Sequence, residues 1–284
     1  MNDKKNTKLN RAKAIKNDEF YTLYEDIEKE LKNYTDYFEN KIIYCNCDNP
    51  KFSNFWKYFN DNFTKLKIKK LYATYFDEEE SFLYEKTTEG ISKTKLKGNG
   101  DFRNFECIEV LKKSDIIITN PPFSLLIPFF RILISNNKKF IFISSITTIK
   151  QKYFIKEFKS DNLFSGINRV NNFYSPNNEN LKAGATWLTN FKINRQLIEL
   201  TKSFSEITNK TYFENKLLIS KLKDIPKDYE DLILVPITYL LKHNKNVFLI
   251  LGCYAPKTNT KNEFTRILIK RIDKNNIEKE LTLF

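Results

Sequence analysis

Histidine occurs once, at His243, and the four cysteines (Cys45, Cys47, Cys107 and Cys253) form no C-x-x-C pair. Too few ligands remain for a zinc site, so no metal is expected. Nor do the cysteines read as a disulfide framework, since the longer apolar runs look like strands of an ordinary core that needs no staples. Only 6 of the 284 residues are glycine, which leaves little room for flexible linkers. No apolar stretch approaches the roughly 20 residues of a membrane span. The opening "MNDKKNTKLNRAKAIKNDEF" is basic but lacks the apolar segment of a signal peptide. These absences predict a cytoplasmic protein with no membrane and no metal.

What is present is an ordinary globular balance, 41% hydrophobic and 29% charged, with 25 Phe and 15 Tyr. The net charge of +13 points to a polyanion partner, most simply nucleic acid. The competing reading is compositional, because Lys rises with Asn, Ile and Phe in AT-rich genomes. Aromatics interleaved with lysines favour the first, since bases stack on aromatic faces.

Along the chain, Leu23, Ile27, Leu31, Tyr34 and Phe38 repeat at helical spacing and predict an amphipathic helix over 22–39. Strands are expected at 41–46, 67–76, 114–120 and 138–145, and helices at 53–63, 104–113 and 124–136. Residues 81–100 are mixed. This alternation predicts an α/β fold built on a doubly wound, mostly parallel sheet. Residues 163–184 are Asn-rich and loop-like. Further strands are expected at 185–193, 247–255 and 264–272, the last two joined by a polar loop; a polar segment and "DLILVPITYLLKHN" fill 194–245.

One of these strands ends strangely. "DIIITNPPF" (115–123) closes a β-branched run with Asn120, Pro121, Pro122 and Phe123. Ligands of a doubly wound sheet bind at the carboxyl ends of strands. Pro121 forces Asn120 into extended geometry. Neither proline has an N–H, and both carbonyls are expected to stay free as acceptors. The Asn120 side-chain oxygen and the Pro121 carbonyl can then converge on one group with two hydrogens, such as a nucleobase amine. Phe123 offers a flat face for its ring. Two acceptors on such an amine favour a pyramidal nitrogen and aim its lone pair at an in-line sulfonium methyl. Positioning suffices, with no strong base. In duplex DNA the amine is reached only by flipping the base. The competing reading is a plain loop with a core Phe.

The methyl donor implied is S-adenosylmethionine, which needs acceptors at neighbouring strand ends. "YCNCDNP" offers Asn46 and Asp48, although no G-x-G follows this first strand; Asp48 also reads as a turn cap. "YFDEEE" offers Asp77, or simply a solvated acidic loop. "NGDF" offers Asp101 for the cofactor adenine and Phe102 for its ring, with Asp101 as a helix cap the alternative.

In order, "DEFYT" (18–22), "YCNCDNP" (44–50), "GDF" (100–102), "LKKSDIIITNPPFSL" (111–125), "WLTN" (187–190), "VPIT" (235–238) and "RILIK" (266–270) span nearly the whole chain. Together they resemble the EcoRI-type adenine-specific DNA methyltransferase family. The resemblance implies a Rossmann-like sheet of the S-adenosylmethionine-dependent methyltransferase type, with DNA-recognition insertions in the C-terminal half. It implies methyl transfer to the N6 amine of a flipped adenine in duplex DNA, by a restriction–modification or orphan modification enzyme. A cognate endonuclease acting at the same site is the partner in the former case. By the same resemblance Phe20, Tyr21 and Thr22 pack on the cofactor; read alone, they are a helix start with Thr22 as cap. Residues 1–17 are then a basic arm, 18–160 the cofactor-binding and catalytic core, and 161–284 the remaining core strands with target-recognition loops.

For DNA contacts, Arg169, Asn171, Asn172 and Asn178 have the side chains suited to base edges. Lys257 and Lys261 suit phosphates. Lys4, Lys5, Lys8, Arg11, Lys13 and Lys16 form the arm. Solvated loop residues and a disordered tail are the competing readings. Other acceptors stay open from the residues alone: a cytosine amine, RNA adenine or protein glutamine, or none in a non-catalytic nucleic-acid-binding module.

Overall fold

The apolar stripe Ile27, Leu31, Tyr34 and Phe38 is fully buried in the computed structural model, which describes residues 21–170, 173–174, 180–181, 184–208, 210–255 and 265–272. The chain divides into two units: residues up to Thr148 with Gly166–Ile193, and Ile149–Ser165 with the residues from Asn194 onward.

The first unit begins with β1 (Tyr21–Thr22) and α1 (Tyr24–Leu31), which runs into a 3-10 helix at Lys32–Tyr37. Then come β2 (Ile42–Cys45), α2 (Asn54–Asp61), β3 (Lys70–Ala73), the hairpin strands β4 (Phe82–Thr87) and β5 (Gly90–Lys95), and α3 (Phe105–Lys113). After them lie β6 (Ile116–Thr119), α4 (Leu126–Ser135), β7 (Lys139–Ser145), β8 (Phe164–Val170), β9 (Phe173–Tyr174), β10 (Asn180–Leu181) and β11 (Ala185–Thr189).

Eight strands form one mixed sheet in the order β5-β4-β3-β2-β6-β7-β11-β8. Its centre, β3-β2-β6-β7, is parallel; β4 and β11 add to it antiparallel. Side chains alternate between faces. Ile43, Leu71, Ile116, Ile118, Ile141 and Trp187 join α1 and α2 in one core. On the other face Phe142 and Phe140 meet Phe129 and Phe130 of α4, with ring centroids 5.4 and 5.8 Å apart. Burial on both faces is why these strands are unbroken apolar runs in the sequence.

From β2 the chain steps to β3 on one side and returns to β6 on the other. The loops leaving β2 and β6 therefore diverge, and a crevice at their carboxyl ends is the natural ligand site of such a sheet.

Two expectations need correcting. Residues 81–100 hold a hairpin, which periodicity misses because β5 is exposed along its whole length. Residues 163–170, expected as loop, contain β8, which pairs with β11 at the sheet edge and is bonded on its backbone by a buried side chain of α1. Glu30 of α1 is fully buried. Its carboxyl group accepts from the Ile167 N–H (3.0 Å), the Asn168 N–H (2.7 Å), the Asn168 side chain (2.9 Å) and the Tyr34 hydroxyl (2.9 Å). Gly166 permits the approach, since a Cβ there would lie 2.1 Å from Glu30 Oε1 and 2.6 Å from Trp187 Cβ.

The second unit carries α5 (Lys152–Lys159) and five more strands: β12 (Thr211–Phe213), β13 (Lys216–Leu218), β14 (Ile233–Pro236), β15 (Phe248–Tyr254) and β16 (Arg266–Arg271). They form a sheet in the order β12-β13-β14-β16-β15. β15 and β16 pair antiparallel, with a register shift between Ile250 and Gly252. His243 is used in this core: its Nδ1 lies 3.0 Å from the Tyr239 hydroxyl, and burial pushes its pKa down to about 4.

Replacing Gly166 by Ala should cost about 1–3 kcal/mol through overpacking. Glu30→Ala should cost about 2–5 kcal/mol, because two backbone donors lose their acceptor. Urea denaturation measures both, and midpoints within error of the parent protein would show that Glu30 does not help to hold β8.

Candidate active site

β6 is fastened by a carboxylate at each end. At its start, Asp115 Oδ2 accepts from the Ile42 N–H of β2 at 2.8 Å. At its end the acceptor is Asp48, in the loop after β2. Asp48 is 6% exposed. Its Oδ1 accepts from the Ser53 hydroxyl at 2.6 Å, and its Oδ2 from the Thr119 hydroxyl at 2.5 Å. The backbone N–H of Asn120 also donates to this carboxylate. Ser53 in turn caps α2, accepting from the N–H groups of Phe55 (3.1 Å) and Trp56 (3.2 Å). The Asp48 N–H donates to the Thr74 carbonyl at 3.0 Å, just past β3. One side chain thus joins the loops after β2 and β6 to the start of α2.

Asn120 is half-buried at the end of β6 and is followed by the buried Pro121. The expectation that both proline carbonyls stay free is corrected here. Pro122 opens a 3-10 turn over Phe123–Leu125, and its carbonyl accepts from the Leu125 N–H at 2.9 Å. The Pro122 carbonyl is thus excluded from the acceptors that the sequence offered beside Asn120. Phe123 is also more enclosed than expected: it is partly buried and packs against the core shared with α1 and α2.

Around this centre stand several of the expected cofactor residues. Asn46 and Thr22 are buried at 1% and 3% exposure, and Asn46 Oδ1 and Thr22 Oγ1 have no hydrogen-bond partner within the protein. Orphaned buried acceptors of this kind are costly unless a ligand meets them. The Thr22 carbonyl accepts from Asn54 Nδ2 at 2.8 Å, which ties β1 to the first turn of α2. Burial, followed by the neighbouring Asp48, Cys107 and Asp101, pushes the Cys47 thiol well above its ordinary pKa, while the Thr119 hydroxyl acts in the opposite sense. Asp101, Asp48 and Thr119 therefore share one electrostatic neighbourhood.

Asp77 and Asp101 are already engaged. Asp77 Oδ1 accepts from the Glu79 N–H (2.9 Å) and the Glu80 N–H (3.3 Å), closing the acidic turn. Asp101 Oδ1 accepts from Arg103 N (2.9 Å) and Nε (2.8 Å), and its other oxygen pairs with the same guanidinium. Burial alone would raise the Asp101 pKa, but the Arg103 hydrogen bonds hold it below the ordinary carboxylate value. Asn104 is the residue in the cap position of α3. Gly100 (φ +72°) makes this loop possible, since a Cβ there would lie 2.0 Å from both Ser81 Oγ and the Tyr75 carbonyl. Phe102 is buried edge-on against Phe129, 5.4 Å between centroids.

Arg169 does not stand in a loop: it is exposed on β8. Tyr21 is described by its backbone alone, in β1; β1 pairs with β9 through Tyr21↔Tyr174 and Thr22↔Phe173. Phe20, Asn171, Asn172, Asn178, Lys257, Lys261 and the arm residues Lys4, Lys5, Lys8, Arg11, Lys13 and Lys16 lie outside the described residues. Ser53, Asn54 and Thr119 were not anticipated from the sequence. Ser53, directly before the apolar run "NFWKYF", carries a cap signal that could have been read; Thr119 has none. Among the described residues no cluster of His, Cys, Asp and Glu could hold a metal ion, and no helix is long and apolar enough to cross a membrane.

The family model described as "Adenine-specific methyltransferase EcoRI" matches residues 8–89 and 83–282. The chain is 36% identical over 275 residues to the Type II methyltransferase M.MgeORF184P of Mycoplasma genitalium, covering 87% of this chain and 86% of that protein. It is 36% identical over 292 residues to the Type II methyltransferase M.EcoRI of Escherichia coli, covering 86% and 88%. With the Type II methyltransferase M.MpnI of Mycoplasma pneumoniae the identity is 35% over 274 residues, covering 87% and 86%. No solved structure matches significantly.

Burial pushes the pKa of Asp48 up from 3.8 to about 6, against the lowering effect of Ser53, Thr119 and the Asn120 N–H. The folded value exceeds the unfolded one, so Asp48 contributes stability that is fully present below about pH 4 and lost as the pH rises through about 6. Between pH 5 and 7.5 the parent protein should lose about 1–2 kcal/mol relative to Asp48→Asn, by urea unfolding at both pH values. Parallel curves would mean that Asp48 titrates like an exposed carboxylate.

Proposed function

Because the chain belongs to the EcoRI-type family of adenine-specific methyltransferases, we propose that the loop ending β6 is its active site. It is a DNA adenine methyltransferase, and membership removes cytosine, RNA and glutamine as the acceptors of choice. Asn120 and the Pro121 carbonyl take the two hydrogens of the adenine N6 amine, once the base has turned out of the duplex. An aromatic amine is a poor nucleophile because its lone pair is delocalised. Gripping both hydrogens favours a pyramidal nitrogen with the lone pair directed away from the ring, and holding it there lowers the barrier by positioning. Phe123 gives the base a flat wall. The observation that supports this reading is that Asp48 ties Asn120 to the loop after β2, the loop that also carries the buried, partnerless oxygen of Asn46.

Those oxygens suit a cofactor with ammonium and hydroxyl donors. S-adenosylmethionine, when bound, supplies a methyl group activated on sulfonium. In this reading Thr22 and Asn46 hold it, Asp77 offers its second carboxylate oxygen to a ribose hydroxyl, and Asp101 shares its carboxylate between Arg103 and an adenine amine. The parallel centre, the reversal of strand order at β2 and the antiparallel β11 fit a Rossmann-like sheet of the S-adenosylmethionine-dependent type. Arg169 and the segments around 171–183 and 256–264 are assigned to DNA, in a restriction–modification setting or alone.

Asn120→Ala should lower transfer of tritiated methyl to duplex DNA by about 100-fold or more, while the Kd for S-adenosylmethionine changes less than about threefold. Activity within a few-fold of the parent would show that Asn120 does not hold the amine. The logarithm of DNA affinity should fall steeply with that of salt concentration; a flat dependence would assign the +13 charge to composition.

A further inference from the structure

Resting on the reading that Asn120 holds the target amine, we infer that Asp48 is a positioning residue of the catalytic loop, acting with Thr119, rather than a ligand of the cofactor. The sequence alone placed Asp48 against the cofactor. Its contacts point elsewhere. A carboxylate has about four lone-pair positions, and three are filled by the Ser53 hydroxyl, the Thr119 hydroxyl and the Asn120 N–H.

The need for such a group follows from the two prolines. Neither Pro121 nor Pro122 can donate from its backbone. Over residues 120–122 the only backbone donor is the N–H of Asn120, and it is spent on Asp48. The ladder offers no substitute: the pairing of β6 with β2 ends at Ile117↔Tyr44, and with β7 at Thr119↔Phe142. Asn120 therefore stands one residue beyond the sheet, and Asp48 replaces the missing rung. Asp48 can act as a fixed point because its own N–H is bonded to Thr74 and its other oxygen to the cap of α2. Thr119 completes the arrangement from inside the strand: it is fully buried, and its hydroxyl sets the direction of the carboxylate. Displacing a positioned group by about 1 Å can cost about 100-fold in rate, so loss of the bond that holds the Asn120 backbone should slow the reaction.

The test uses the full-length protein and duplex DNA with Thr119→Val, Thr119→Ser, Asp48→Asn and the Asp48→Asn/Thr119→Val double variant. Thr119→Val and Asp48→Asn should each lower the single-turnover methylation rate by about tenfold or more, with the Kd for S-adenosylmethionine within about threefold of the parent. Thr119→Ser should restore the rate to within about threefold, and the double variant should be far less than additive, because both changes cut one network. A readout independent of activity is amide exchange of Asn120 by NMR, which should quicken about tenfold or more in Asp48→Asn. Rates within twofold of the parent for both single variants, or an unchanged Asn120 exchange rate, would overturn the inference. So would a cofactor Kd that rises in step with the loss of rate, which would make Asp48 a cofactor ligand. If Asp48→Asn does not fold, the near-isosteric Thr119→Val carries the kinetic test alone. Failure of the underlying reading looks different: Asn120→Ala would then stay active.

Discussion

Everything at the strand ends depends on one carboxyl group accepting from two hydroxyls and an amide. Asp48 brings together the cap of α2, the last residue of β6 and the first residue of the proline loop. Many nucleotide-type sites bring a loop close to a ligand by stripping it of side chains, with glycines exposing the backbone. Glycine is scarce here, and the loop after β2 reads "NCDNP". The solution is the opposite one: polar side chains are left in place and buried, bonded to each other at Asp48 and without a partner in the protein at Asn46 Oδ1 and Thr22 Oγ1.

The central strands were legible because burial on both faces requires unbroken apolar runs such as "IIIT" and "FIFIS". The proline loop was legible because two prolines and an Asn leave the backbone few options. What could not be read depends on partners distant in sequence. β8 pairs with β11 and is bonded by a carboxyl group 137 residues away, and no periodicity in "FSGINRV" records either. The β4–β5 hairpin has no buried face on its outer strand, so it lacks the alternation that marks a strand. Thr119 was invisible for a simpler reason: a threonine ending a β-branched strand is ordinary, and only its bond to Asp48 gives it a role.

The charge of the molecule contributes little to its folding. Several ion pairs among the described residues, such as Lys67–Glu39 and Lys95–Glu80, are well exposed on both sides, where such pairs add little stability. An excess of lysine and arginine that gives a net charge of +13 suits a polyanionic substrate such as DNA. Two of the acids that tie elements together, Glu30 and Asp48, are by contrast buried.

Glu30 and Gly166 illustrate how such bonds constrain change. A side chain at 166 collides with the carboxyl group at 30, and loss of that group strands the amides of Ile167 and Asn168. A change at either position is therefore felt at the other. Any route to a different pair passes through a chain that carries either a clash or two abandoned donors. The two residues act as one structural unit, although one lies on a helix near the start of the described chain and the other on a strand in its middle.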